Sequence, residues 1–216
     1  MEPLKIICFD LYGTILYISK NISLYKEIIK ASPKPRVTWE YMCTRYFQDI
    51  EALYAALIRI GLIQENKMSV EEFKSSIEKE IKSVKVHDDV KESLSRLKEK
   101  GYYRAVISNV ASPYLAAYRK LQAEENFAFD LLLDYQIFSC EKGFSKPSEK
   151  IYNEILKHAG CDFEEIGYKD ILMIGDNYTN DFLVPKSLGM QALHLDRKGN
   201  NSETTINSLS VLLERL

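Results

Sequence analysis

Several signals that sort proteins into classes are missing from this 216-residue chain. It has no C-x-x-C pair. Its four cysteines, Cys8, Cys43, Cys140 and Cys161, are scattered, which argues against a zinc site or a disulfide framework and for small core residues in a reducing compartment. It has no basic stripe: 29 basic and 31 acidic residues are interleaved for a net charge of −2, so nothing suggests a nucleic-acid partner. It has no apolar run of membrane-spanning length, and the apolar stretch in the opening MEPLKIICFD is too short for a signal peptide. It has no internal repeat and no low-complexity tract. These absences leave a soluble cytoplasmic protein, monomer or homodimer, whose partner is a small molecule and neither nucleic acid nor membrane. A hydrophobic content of 46% over this length can bury a sizeable core, as one large domain or one domain with an insertion.

The stretch from Lys5 to Asp10 is a short apolar run stopped by YGT, the pattern of a buried strand. From about Ser19 to Val86 the texture is helical and no strand is expected. NISLYKEIIKAS reads as a helix that stops before Pro33 and Pro35. VTWEYMCTRYFQDIEALYAALIRIG reads as one long amphipathic helix, with Trp39, Met42, Tyr46, Ile50, Leu53 and Leu57 at intervals of three and four and Gly61 as its cap. Ser69 and Glu72 have the spacing of a capping box. After Val86, strands alternate with helices: YRAVISN, then SPYLAAYRKLQAE, then a strand within FDLLLDYQIFS. The helix KPSEKIYNEILKHAG and the strand DILMIGD follow. Next come a helical TNDFLVPKSLG, the strand MQALHLD and a last helix. This alternation predicts an α/β fold, a doubly wound parallel sheet. The α/β core is expected over residues 1–16 and 86–216, with a helical insertion over 17–85.

In open parallel sheets, ligands bind beyond the carboxyl ends of the strands. Strand one ends on Asp10, YRAVISN ends on Ser108 and Asn109, and DILMIGD ends on Asp176, with Asp181 just beyond. Lys146 opens the helix after the third strand. Each residue has an ordinary reading as a turn, cap or solvated residue. Together they place three carboxylates, a lysine and a hydroxyl on one rim. The carboxylates would repel unless a cation joined them. Oxygen ligands with positions left open for water suit Mg²⁺. Asp10 beside Mg²⁺ and Lys146 is then placed to attack an electrophile and form a covalent aspartyl intermediate. Gly13 allows a sharp exit from the strand. Thr14 can hydrogen-bond near the carboxylate, which adds it to Ser108, Asn109 and Lys146 as a candidate substrate-binding residue.

The four signatures FDLYGT, VISN, GFSKPSEKIY and GDNYTND, in this order, resemble those of the haloacid dehalogenase (HAD)-like hydrolase superfamily. The resemblance covers about Leu4 to Leu16 and Val86 to Asp196. It implies a Rossmann-like core with a helical cap whose closure excludes water and selects small substrates. It also implies roles: Asp10 as nucleophile, Ser108 and the backbone near Asn109 on the transferring group, and Lys146 as the neutralising cation. Asp10, the Tyr12 carbonyl, Asp176 and Asp181 would hold Mg²⁺. The last signature is similar to the Mg²⁺ motif of the superfamily's phosphatases. The first is similar to that of its 2-haloacid dehalogenases, because Tyr12 stands where phosphatases carry a second aspartate. Losing such an acid–base group costs ~10²–10⁴ in rate, and a tyrosine of pKa near ~10 replaces it poorly at neutral pH. Three readings follow: a Mg²⁺-dependent phosphatase of small metabolites, a metal-independent 2-haloacid dehalogenase, and a non-catalytic ligand-binding relative.

Overall fold

Four consecutive apolar residues, Ile6 to Phe9, are all fully buried because both faces of their strand are covered. Their side chains alternate: Ile7 and Phe9 join one hydrophobic cluster, while Ile6 and Cys8 join another on the opposite face. The computed structural model describes residues 4–123 and 129–216. Residues 1–3 of the expected core and Glu124 of one expected helix lie outside the described residues.

The strands are β1 (Ile6–Phe9), β2 (Leu16–Ile18), β3 (Val84–Val86), β4 (Tyr103–Ser108), β5 (Tyr135–Phe138), β6 (Ile171–Gly175), β7 (Gln191–Leu195) and β8 (Thr205–Ile206). Six of them form one sheet in the order β5-β4-β1-β6-β7-β8, and every ladder in it is parallel. The helices are α1 (Leu24–Ala31), α2 (Pro35–Cys43), α3 (Ile50–Arg59), α4 (Val70–Ile81), α5 (Val90–Glu99), α6 (Ser112–Ala123), α7 (Phe129–Leu132), α8 (Ser139–Lys142), α9 (Glu149–Ala159), α10 (Val184–Ser187) and α11 (Leu209–Arg215). Leu94, Tyr118 and Leu212 carry α5, α6 and α11 onto one face of the sheet, and Ile151, Tyr152 and Ile155 carry α9 onto the other. This is the doubly wound α/β architecture that the alternation predicts. The helices α1 to α4 lie between β2 and β3, and Leu24, Met42, Leu53, Phe73 and Ile77 extend the first cluster into them.

Two expectations for this insertion need correction. β2 and β3 pair antiparallel at its base, Leu16 with Val86 and Ile18 with Val84, where no strand is expected. Three residues per strand are too few to show an alternation. The long helix is also two helices, α2 and α3, separated by residues 44–49. Thr44 Oγ1 donates to the Glu40 carbonyl at 2.6 Å, the Phe47 amide donates to Ser112 Oγ on α6, and Asp49 Oδ1 caps α3 by accepting from the Ala52 amide. Local caps and one tie to the neighbouring α6 outweigh the continuous apolar period, and Tyr46 is left exposed. At Ser69 the expected capping box is present. The stretch expected as a helix after Asp176 begins with a π-helical turn, Tyr178–Leu183, before α10.

One ion pair ties four loops together. The Arg197 guanidinium donates to both oxygens of Asp89 (3.0 and 3.1 Å) and to the Thr14 carbonyl (2.7 Å), while Asp89 also accepts from the Leu209 amide (2.7 Å). The exit of β1, the start of α5, the exit of β7 and the start of α11 therefore share one clamp. Asp89→Ala removes a half-sheltered acceptor of charged hydrogen bonds and is expected to lower stability by about 1.5–3 kcal/mol, read by equilibrium urea unfolding.

Candidate active site

The backbone places the rim first. β1 leads directly into Asp10, whose amide donates to the Ile174 carbonyl at 2.8 Å, so the strand's hydrogen bonding holds the carboxylate at the sheet's C-terminal edge. Gly13 then turns the chain at φ +95°, and a Cβ there would lie 2.3 Å from Asp176 Oδ2. The glycine is thus required twice, for the turn and for the approach of Asp176. At the end of β6, a Cβ on Gly175 would lie 2.3 Å from Asp181 Oδ2. The π-helical turn carries Asp181 inward, fully buried, and the Asn177 amide donates to its Oδ2 at 3.0 Å. Behind this turn the buried Tyr152 donates its hydroxyl to the Asn180 carbonyl at 2.5 Å.

Lys146 joins the two sides. Its Nζ donates to Asp10 Oδ1 and to Asp181 Oδ1, each at 2.6 Å, and the residue is only 4% exposed. Asn109 holds the lysine's backbone by two bonds: the Lys146 amide donates to Asn109 Oδ1 (2.7 Å), and Asn109 Nδ2 donates to the Lys146 carbonyl (2.8 Å). The expected substrate-binding asparagine therefore uses its side chain to position the cation. Ser108, buried, ends β4 on the neighbouring strand.

Oxygens of Asp10, Asp176 and Asp181 lie within 4.8 Å of one another. Burial pushes the Asp10 carboxyl up to about 7; the charges of Asp181 and Asp176 add to the rise and Lys146 opposes it. Asp176, at the exposed edge, is also raised, by desolvation and then by Asp181. Burial works against the Lys146 ammonium, yet Asp10 and Asp181 outweigh it and hold it well above its ordinary value. One ammonium thus faces three carboxylates, and the cluster keeps an excess of negative charge. All-oxygen donors with that excess fit a hard divalent cation.

Two expected residues sit differently. The Tyr12 hydroxyl donates to the Tyr114 carbonyl at 2.8 Å, away from Asp10, and burial holds the phenol far above its usual pKa. The Thr14 hydroxyl is buried without a hydrogen-bond partner among the described residues, while its carbonyl accepts from Arg197. Asn177, Gly175 and Glu80 are structural supports that the sequence reading passes over. Glu80 had a legible signal: it follows Phe73 and Ile77 on the apolar face of α4, and it is buried. Its Oε1 accepts from the Ile22 and Ser23 amides, and its Oε2 accepts from the Tyr114 hydroxyl.

A carboxylate presented at a strand end against a buried ammonium is suited to accept a transferred group, and the parallel sheet holds it at its ligand-binding edge. The model for haloacid dehalogenase-like hydrolases matches residues 4–189, and the chain belongs to that family. It is 29% identical over 136 residues to a glyceraldehyde 3-phosphate phosphatase of Methanothermobacter thermautotrophicus; that match spans 57% of this chain and 55% of the relative. It is 24% identical over 229 residues to (S)-2-haloacid dehalogenase 4A of Burkholderia cepacia, across 98% of this chain and 94% of that one. A HAD family enzyme from Bacteroides thetaiotaomicron, solved in complex with magnesium and inorganic phosphate, shares the fold with a TM-score of 0.60 at 17% identity, over 93% of this chain and 98% of that one.

Two glycines of positive φ separate backbone strain from crowding. Gly61 also has positive φ (+74°), but a Cβ there would meet nothing within 4 Å. Gly61→Ala is expected to cost about 1 kcal/mol, from backbone strain alone, and Gly13→Ala at least about 2 kcal/mol, since the Asp176 carboxylate must also move. Urea unfolding of the two variants reads the difference.

Proposed function

We propose that the protein is a Mg²⁺-dependent phosphatase of a small phosphorylated metabolite, acting through an aspartyl phosphate on Asp10. The observation that carries this reading is the Lys146 ammonium held between Asp10 and Asp181, with Asp176 completing an acidic cluster that keeps excess negative charge. Asp10, the Tyr12 carbonyl, Asp176 and Asp181 would hold Mg²⁺, which when bound would neutralise these carboxylates and the phosphoryl oxygens. The Asp10 carboxylate attacks phosphorus, and the bond to the leaving oxygen breaks with its electron pair. Lys146 and the Ser108 hydroxyl contact the transferring oxygens. Water then attacks the aspartyl phosphate, Asp10 regains its carboxylate, and the proton leaves with the phosphate. The segment 17–85 acts as a cap over the core formed by 1–16 and 86–216, limiting substrate size and excluding water. Four free cysteines fit a reducing cytoplasm.

With its hydroxyl bonded to the Tyr114 carbonyl, Tyr12 supplies no proton to a leaving alcohol. The preferred substrates are therefore acyl or aryl phosphates, whose leaving groups depart as anions. A second reading, 2-haloacid dehalogenase, draws on Tyr12, on the likeness to the Burkholderia cepacia dehalogenase and on Arg36, a cation that would accept the departing halide and that lines a depression with Trp39 and Lys146. Arg45, by contrast, stacks on the Tyr41 ring, 4.0 Å from its centroid.

The test is phosphate release from acetyl phosphate and from an alkyl phosphate, with Mg²⁺ and with EDTA. The expected result is release that needs Mg²⁺ and Asp10 and favours acetyl phosphate by about 10² or more. Metal-independent release or equal rates would overturn the reading. Halide release from 2-chloropropionate in EDTA supports the dehalogenase instead, and an Asp10→Asn variant equal to wild type marks a non-catalytic relative.

A further inference from the structure

A cavity of about 260 Å³ opens against Tyr12, two residues beyond Asp10, and against Asn109, next to Ser108, between the first-strand loop and the inserted helices. Tyr12 and Asn109 line its core side, and Tyr25, Ile29 and Trp39 line the other, with Tyr114 between. The Tyr114 ring meets Tyr12 edge-on at 6.0 Å and Tyr25 at 5.1 Å, so the wall is largely aromatic carbon. Most of the polar groups that reach it are already committed. Glu80 accepts from two backbone amides and the Tyr114 hydroxyl, Asn21 Oδ1 accepts from the Ser23 amide and hydroxyl, and the Tyr12 hydroxyl is bonded to Tyr114. Lys26 stands on the exposed rim. The Tyr25 hydroxyl is buried in the wall and has no hydrogen-bond partner among the described residues.

We propose that this cavity receives the leaving group and that the substrate is an aryl phosphate: a single apolar ring carrying at most one polar substituent, which the Tyr25 hydroxyl would meet. The proposal rests on the phosphatase reading and narrows it. Size agrees, since an apolar cavity of about 150 Å³ takes up benzene. Chemistry agrees independently, because an aryloxide departs without the proton that Tyr12 does not supply. A polyhydroxylated organic part, such as a sugar or triose, would leave most of its hydroxyls unpaired against carbon, which disfavours it strongly.

Two non-hydrolysable probes test the cavity without turnover: phenylphosphonate and methylphosphonate, titrated calorimetrically into the full chain with Mg²⁺. Phenylphosphonate is expected to bind at least about 10-fold more tightly, as burial of one ring predicts. It should also change the emission of Trp39, the chain's single tryptophan, which lines the cavity. Ile29→Gln is expected to bring the affinity ratio toward one; the wild-type ratio decides the matter if that variant does not fold. Equal affinities, or binding of neither probe, overturn the proposal. Acetyl phosphate, which does not fill the cavity, separates the two claims. Turnover of acetyl phosphate with no phenyl preference overturns the cavity proposal alone. A phenyl preference with no turnover of any phosphate upholds the cavity and overturns the phosphatase reading.

Discussion

The buried ammonium of Lys146 is the group on which the rest of the rim depends. Asp10 follows β1 and Asp181 lies in the π-helical turn after β6, and both are nearly or wholly out of solvent. Without a cation between them their burial would be unfavourable, because removing one partner of a buried pair leaves an uncompensated charge. Much of the surrounding structure serves that contact. The Asn109 amide fixes the lysine's backbone, the Asn177 amide fixes Asp181, and Gly13 and Gly175 leave the space into which Asp176 and Asp181 reach. A single lysine still cannot balance three carboxylates. Burial first, and then the charges of the neighbouring carboxylates, raise Asp10 and Asp176, and the unbalanced charge is the physical reason that the cluster suits a divalent cation.

Tyr12 links the chemistry to the inserted helices. Its hydroxyl bonds to the Tyr114 backbone, and the Tyr114 hydroxyl bonds to Glu80 on α4, which in turn accepts from the backbone leading into α1. Tyr12 is thus part of the junction between the sheet and the helices α1 to α4. Tyr12 therefore has two effects in the proposed reaction: its hydroxyl is turned away from proton transfer, and its ring joins Tyr25, Trp39 and Tyr114 in an aromatic wall. They favour the same kind of substrate, which is why the polar phosphates named for some relatives need not carry over to this chain.

Most of the rim was legible because its residues stand at strand ends, and strand ends are readable from short apolar runs. Asp10 after IICF and Asp176 after ILMIG are of this kind. Lys146 was legible through its place before Pro147 and the order of the four signatures. The direction of the Tyr12 hydroxyl was not, since its partner is a backbone carbonyl 102 residues away. The break between α2 and α3 was hidden because apolar spacing continues through Tyr46 and masks the local caps at Thr44 and Asp49, while the bond to Ser112 depends on α6 lying alongside. β2 and β3 were too short to carry a pattern. Glu80 could have been found, as an acid on the apolar face of an otherwise regular helix.

The central claim is that Asp10 becomes phosphorylated at a site charged for Mg²⁺. Mass spectrometry of the protein, acid-quenched during turnover of acetyl phosphate with Mg²⁺, tests it most directly. The account predicts one phosphoryl group on the peptide containing Asp10, absent with EDTA and absent in Asp10→Asn. No adduct, an adduct on another residue, or one that forms equally well in EDTA would contradict it.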